Sequence, residues 1–343
     1  MSRRKLRVMM LCHEDLVPPD SRDGYDPDAI YDWQAEYDVV HAIRTLGHDV
    51  QVVGVSDDVL PIRQCVAGFE PDVVFNQLVE LRDVGAFAVH VVSYLELLGV
   101  PYTGCNPQGL TLARDKALSK KILRYHRIPT PAFLVFPAGR SVRIPRRVPY
   151  PMIVKSLDED ASRGVSQASI VKNEAELAER IDFVHRNVGT AAIAEQYVEG
   201  RELTIGVLGN DRLKTFPVWE MSFAALPDGT RPIATERVKW DRAYQKKLGV
   251  EIGPADLPDE LSARIGRVAR RSYRALALSG YARLDLRLSA DGRVHVIEAN
   301  PNPDLTDDED YALGAARAGL AYPRLIQRIM QLGIAYEAPG RIP

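Results

Sequence analysis

Three hundred and forty-three residues exceed one compact domain and suit two or three lobes, and a 46 % hydrophobic composition excludes a wholly disordered chain. Forty-four Lys and Arg against 46 Asp and Glu leave a net charge of -2, too balanced for a protein held to nucleic acid by phosphate neutralisation. Small-molecule chemistry is the expectation that remains.

Cys12, Cys65 and Cys105 are widely spaced and form no CxxC pair, so they read as free thiols of a reducing cytosol rather than a disulfide framework or thiolate zinc site. The basic start Arg3-Arg4-Lys5 precedes an apolar run that is interrupted by Arg7 and stops at His13-Glu14-Asp15, too short for a signal peptide. No stretch approaches the ~20 apolar residues of a membrane span, and the expected location is the cytoplasm.

In chain order, 6–11 reads as a buried strand and Trp33 to Leu46 as a helix stopped by Gly47. Strands at 49–55 and 72–75 and a helix at 85–98 complete a parallel-type α/β lobe ending near Asn106-Pro107. A single helix over Ala113 to His126 opens the next lobe and stops before Ile128-Pro129-Thr130-Pro131. Short strands are expected at 132–136, 152–155, 169–171, 191–197 and 202–208, with a helix at 173–187. The rest mixes strands with a long helix over 258–278 and closing helices after Asp310. The seven histidines show no metal-ligand spacing, and no GxSxG nucleophile element is present.

The segment Gly280 to Asn300 carries the most chemistry. Two alternating runs flank Asp291-Gly292, a two-residue hairpin turn signal. That loop sets Asp285 opposite Glu298 and Arg283 opposite Asn300, all four on one face. Leu284, Leu286, Leu288, Ile297 and Ala299 take the core face, and His295 falls inward with them. Two carboxylates opposed at ~5 Å repel, and a divalent cation removes the conflict; Mg²⁺ takes one or two carboxylates and completes its shell with phosphates and water. The plainer reading is a solvated face whose acids Arg283 and Arg287 neutralise.

Tyr281-Ala-Arg-Leu-Asp-Leu followed by Val296-Ile-Glu-Ala-Asn-Pro-Asn-Pro resembles the metal-binding end of ATP-grasp enzymes, in particular the D-alanine–D-alanine ligase family. Leu97 to Gly104, Arg114-Asp115-Lys116, Pro151-Met-Ile-Val-Lys155 and Glu195-Gln-Tyr-Val-Glu-Gly-Arg-Glu202 resemble further blocks of that family in the same order. The resemblance implies a three-lobed α/β architecture: an N-terminal pre-ATP-grasp lobe over 1–107, a mobile central α+β lobe over 108–205 and a C-terminal α+β lobe over 206–343. It also implies a carboxylate-amine ligase reaction through an acyl phosphate, small-molecule carboxylate and amine substrates, and a homodimer. ATP is the implied nucleotide, with Mg²⁺, or Mn²⁺ in its place.

Residue by residue, the resemblance implies that Lys116, Lys155 and Lys239 meet ATP phosphates and that Glu195 and Val198 hold adenine mainly through backbone groups. Glu202 meets ribose, Asp285, Glu298 and Asn300 bind the metal, and Arg283 stabilises the transferring group. Ser162 and Gly164 match a loop, 156–166, that closes over the triphosphate. On sequence alone, Lys116 and Lys120 belong to a solvated basic helix face.

The family's glycine-rich first loop is missing, so Glu14, Glu36 and Asp38 all stay open as the acid that meets the first substrate. After Asn300 the family's small-residue loop is replaced by a run holding Asp304, Asp307, Asp308, Glu309 and Asp310, which would repel a free carboxylate and attract a cationic acceptor. The same acids would also suit the start of a helix. Trp240 stands where a smaller hydroxylated aromatic is usual and is expected to alter the pocket wall. The rivals to a ligase with other substrates are D-alanine–D-alanine ligase itself, an ATP-grasp small-molecule kinase and a non-catalytic nucleotide-binding module.

Overall fold

In the computed structural model, residues 4–159 and 162–339 are described; Arg3 of the basic start and Asp160 and Ala161 of the expected phosphate loop lie outside them. The first lobe runs β1 (Arg7–His13), α1 (Pro27–Thr45), β2 (Asp49–Val55), α2 (Leu60–Phe69), β3 (Val73–Asn76) and α3 (Ala88–Leu97). Its three strands are parallel in the order β2-β1-β3. The alternation of β1 splits its buried side chains. Val8, Met10 and Cys12 pack under Val39, Val40 and Ile43 of α1, whereas Met9 and Leu11 meet Ile62 of α2 and Val91, Val92 and Leu95 of α3. Helix α2 is absent from the sequence reading. Two parallel strands cannot be joined without such a crossover, and the Pro61 start with Ile62 and Cys65 facing inward supplies it.

The single helix expected over Ala113 to His126 is two helices, α4 (Pro107–Arg114) and α5 (Lys116–Tyr125). Asp115 is extended between them, and its carboxylate accepts the N–H groups of Ala117 and Leu118 at 2.9 and 2.8 Å as an N-cap. The break puts Lys116 on the first turn of a new helix, aimed out of the helix row in which the sequence places it.

The central sheet follows: β4 (Phe133–Phe136), β5 (Met152–Ser156), β6 (Ile170–Val171) and β7 (Ala192–Gln196), in the order β4-β7-β5-β6 and covered by α6 (Glu174–Phe183). The last sheet holds β8 (Arg201–Leu208), β9 (Lys214–Thr215), β10 (Trp219–Phe223), then α7 (Glu236–Trp240), α8 (Arg242–Leu248), β11 (Val250–Pro254), α9 (Asp259–Ala275), β12 (Tyr281–Leu288) and β13 (Val294–Pro301). Its order is β11-β10-β8-β12-β13, with β9 beside β8. All of β8 belongs to this sheet, so the lobe expected to begin at 206 takes its first strand from residue 201. Ile265, Ala269 and Tyr273 of α9 cover Leu203, Ile205 and Leu284 on one face. Helices α10 (Asp310–Arg317) and α11 (Tyr322–Ala335) close the chain, and Leu325, Ile326 and Ile329 of α11 return to the first lobe beside Met10 and Ile43. Close backbone approach fixes this junction. A Cβ on Gly280 would meet the Gly104 carbonyl oxygen at 2.5 Å, and Gly280 itself stands at φ +70.

The hairpin reaches the expected pairing by a different route. Ser289 N–H donates to the Arg293 carbonyl at 3.0 Å and Gly292 N–H to the Ser289 carbonyl at 2.8 Å, so the loop has three residues and Gly292 takes the left-handed position. This shifts the register by one, pairing Leu288 with Val294 and Arg287 with His295. A bulge at Ile297 restores it, and Asp285 still faces Glu298 while Arg283 faces Asn300. Two expectations therefore change. Val296 rather than Ile297 enters the core, and His295 shares the polar face of Arg287 instead of pointing inward.

Candidate active site

A cleft opens between the central sheet and the β12–β13 hairpin. Lys116, Lys155, Ser162, Glu195, Val198, Glu202, Lys239, Asp285 and Glu298 all line it. Residues drawn from six separated segments thus meet in one place.

On the hairpin face, each acid already has a cation. Arg283 Nε donates to Asp285 at 2.9 Å, and Lys116 Nζ lies 3.1 Å from Glu298 and donates to the Glu159 carbonyl at 2.6 Å. Arg287 turns to Glu202 at 2.8 Å and takes no part in neutralising Asp285 or Glu298. Burial alone would lift the Glu298 carboxyl, but Lys116, Lys155 and Lys239 outweigh it and hold the group at about 2. It is a fixed anion surrounded by three lysines, as a polyphosphate and metal site requires. Asn300 lies on the same hairpin face opposite Arg283, and its amide oxygen is the atom that could join the carboxylates. Two carboxylates and an amide oxygen on a rigid hairpin make a donor set that fits a hard divalent cation.

Glu195 does not match its expected role. It sits in β7, paired on one side with β4 and on the other with β5, so its backbone is committed to the sheet. Its side chain, 1 % exposed, lies 3.3 Å from Lys120 and 3.2 Å from Lys155. Burial raises its carboxyl and the two lysines overcome that, leaving it below the usual range. Lys120, expected on a solvated face, is fully buried and donates to the Ile297 carbonyl at 2.6 Å. Desolvation lowers its ammonium to about 8 against the pull of Glu195. This chain of charges ties Lys155 to the bulge residue that precedes Glu298. Sequence reasoning missed it.

The described part of the loop expected to meet phosphate is stitched to the segment leading into α7. Gly164 N–H donates to Glu236 at 2.8 Å, Glu236 N–H returns a bond to the Val165 carbonyl at 3.0 Å, and Gln167 exchanges bonds with Arg231 at 2.9 and 3.1 Å. Ser162 and Gly164 both take positive φ, +59 and +74. Lys239, one turn after Glu236, is therefore linked to this loop through the helix that Glu236 begins. Trp240 does not form the expected pocket wall, since it is 62 % exposed and stands outside the cleft lining.

Beyond Arg283 the acids of two lobes converge. Arg283 also pairs with Asp310 at 3.5 Å, and Asp310 accepts the Thr204 hydroxyl at 3.0 Å. Of the two readings of the 301–310 acids, the helix start is present. Glu309 occupies the N-cap position of α10, and Asp304 and Glu309 face the first lobe. Of the three N-terminal candidates, Glu14 is exposed, Asp38 is paired with Arg22 and accepts the Asp307 N–H at 3.2 Å, and Glu36 is 5 % exposed. No ion pair reaches Glu36, Asp304 or Glu309 among the described residues. Burial lifts the Glu36 carboxyl to about 7, opposed by its own backbone N–H and reinforced by Asp304. Burial and then Asp304, Asp310 and Asp308 lift Glu309 to about 7, against Arg283.

A raised folded pKa means that the folded state keeps this proton where an unfolded chain releases it, so stability falls as pH rises from the ordinary carboxylate range through about 7. Glu36→Gln is expected to stabilise the ligand-free protein at pH 8 by on the order of 3 kcal/mol and to change little near pH 4, read by denaturant melts. An equal effect at both pH values would contradict a buried, titrating acid.

Fold and cleft together define an ATP-grasp enzyme. The family model described as D-ala D-ala ligase C-terminus matches residues 123–331. The D-alanine–D-alanine ligase of Bordetella petrii is 33 % identical over 254 residues, 72 % of this chain and 72 % of its own length. The uncharacterized protein y4sG of Sinorhizobium fredii is 30 % identical over 86 % of this chain and 85 % of its own. Among solved structures, the D-alanine–D-alanine ligase of Bacillus anthracis complexed with ATP superposes with a TM-score of 0.74 at 21 % identity, covering 96 % of this chain and 97 % of that one. This chain belongs to the D-alanine–D-alanine ligase family, and it is an ATP-dependent ligase that forms C–N bonds. No helix among the described residues is long and apolar enough to cross a membrane.

Proposed function

We propose that this ligase joins a small carboxylate to a cationic amine other than D-alanine, with Mg²⁺ or Mn²⁺ held by Asp285, Glu298 and Asn300. The observation that carries the substrate reading is Glu36, a buried acid with no ion-pair cation among the described residues, which feels the charge of Asp304, itself near Glu309, Asp310 and Arg283. A free acceptor carboxylate would meet like charge there, whereas an ammonium group supplies the missing counter-charge.

In this reading Lys116, Lys155 and Lys239 hold the phosphates, with Lys155 steadied by Glu195. Glu202 meets ribose and Val198 adenine; the committed backbone of Glu195 takes no share in it. A divalent ion held by Asp285, Glu298 and Asn300 would neutralise phosphate charge as it develops. An oxygen of the donor carboxylate attacks the γ-phosphorus, the bond to the β-bridging oxygen breaks, and ADP leaves with that electron pair. Arg283 balances charge on the transferring group. An amino group of the acceptor in its neutral form then attacks the acyl carbon, the C–O bond to phosphate breaks, phosphate leaves with that electron pair and takes up the proton the nitrogen loses, and an amide remains. The loop at 162–167 excludes water that would hydrolyse the acyl phosphate.

The test is an ADP-release screen over pairs of carboxylates and amines, with products read by mass spectrometry. Pairs containing a diamine or a basic amino acid are expected to drive turnover, with KM for the cationic partner falling as pH rises from 6 to 8 and Glu36 and Glu309 ionise. Robust turnover with D-alanine as sole substrate would overturn the substrate reading.

A further inference from the structure

Away from the nucleotide cleft, a ring nitrogen of His13 and carboxylate oxygens of Glu80 and Asp83 lie within 4.8 Å of one another. No spacing in the sequence announces this group. It forms because His13 ends β1 while Glu80 and Asp83 follow β3, the strand paired beside it. In the order β2-β1-β3 the chain leaves β1 on one side and returns on the other. The crevice at the carboxyl ends of β1 and β3 is thus the switch point where open α/β sheets take ligands.

The His13 side chain is 13 % exposed, and its Nε2 is buried without a hydrogen-bond partner. A buried polar atom in that state is costly, and a ligand there would remove the cost. The other ring nitrogen, Nδ1, faces Asp15, whose backbone N–H is 3.3 Å away and whose carboxylate is 3.6 Å away. The loop bearing the two acids is tied down by Arg82, whose N–H donates to the Ser56 carbonyl at 2.6 Å and whose Nε donates to the Asp57 carbonyl at 3.0 Å.

We propose that His13, Glu80 and Asp83 form a binding site for a divalent first-row transition cation such as Zn²⁺, Co²⁺ or Mn²⁺, distinct from the nucleotide's metal. One imidazole nitrogen and two carboxylate oxygens suit those ions better than Mg²⁺, which prefers an all-oxygen octahedron. Metal–ligand bonds of ~2.1 Å require the three groups to draw closer. Glu80 is half-buried and Asp83 exposed, so both side chains have room to turn. His13 Nδ1 here accepts the Asp15 N–H at 3.3 Å, so binding a metal through Nε2 moves the ring proton to Nδ1 and exchanges that bond for the Asp15 carboxylate 3.6 Å away, the kind of outer contact a metal-bound histidine usually keeps. Three protein ligands leave at least one position for water or a substrate group, and the bound ion links the end of β1 to the loop after β3.

The site is independent of the ligase reading and is tested without substrate. Nucleotide-free protein is titrated with Co²⁺ and followed by its visible absorption. One equivalent is expected to bind in the wild type and in Glu298→Gln. The affinity is expected to drop at least tenfold in the surface double variant Glu80→Gln/Asp83→Asn, whose circular dichroism should be unchanged, and likewise in His13→Gln. No Co²⁺ band in the wild type, a band that survives the double variant, or one lost only in Glu298→Gln would overturn the proposal.

Discussion

Glu298→Gln is expected to lower kcat/KM for ADP release by at least ~10²-fold while leaving the fold intact. The substitution is nearly isosteric, so it removes charge and not shape. That charge is the pivot of the cleft, since three lysines hold the Glu298 carboxylate at about 2 and one of them, Lys116, lies 3.1 Å away. Neutralising it weakens the pair of opposed carboxylates as a cation site and removes the charge that Lys116 meets at 3.1 Å. The activity that survives should need a higher Mg²⁺ concentration. A kcat/KM close to wild type at unchanged Mg²⁺ demand would remove Glu298 from the metal site.

Lys120→Met is expected to destabilise the protein by about 3 kcal/mol, because breaking a buried ion pair strands its partner in a low-dielectric interior. Glu195 keeps Lys155, but Lys155 must then serve as its sole counter-ion. The Ile297 and Thr130 oxygens lose their contacts with the ammonium at 2.6 and 3.4 Å. A Tm lower by roughly 5 °C, with a raised KM for ATP as Lys155 is drawn toward Glu195, is the expected pair of readings. A Tm within about 1 °C of wild type would show that the triad contributes little.

The parts of the site legible in the sequence were those carried by local alternation. Opposed acids followed from period-two side-chain direction on either side of Asp291-Gly292, and the opposition of Asp285 and Glu298 survived because the longer loop and the Ile297 bulge shift the register in opposite senses. His295, between those two departures, and Ile297, the bulge itself, take faces other than simple alternation predicts for the same reason. Lys116 was expected on a solvated helix row because Asp115 was not recognised as a cap within it.

Groups whose meaning lies in a distant partner left no local trace. Lys120 looks like a surface lysine until Glu195 is folded beneath it, and Glu195 looks like an exposed strand residue until both of its flanking strands are in place. Glu36 could not be separated from Glu14 and Asp38 because only the packing of α1 against the 301–310 loop buries it without a cation. Helix α2 was hidden by a short, proline-started segment, although the parallel strands on either side of it demanded a crossover.

The central claim is that Asp285 and Glu298 face each other to hold a divalent ion against the triphosphate. A crystal of the protein grown with Mn²⁺ and a nonhydrolysable ATP analogue tests it most directly through anomalous scattering. The account predicts an anomalous peak within ligand distance of both carboxylates, with the triphosphate against Lys116 and Lys155. A nucleotide bound in the cleft with its manganese away from the hairpin would contradict it.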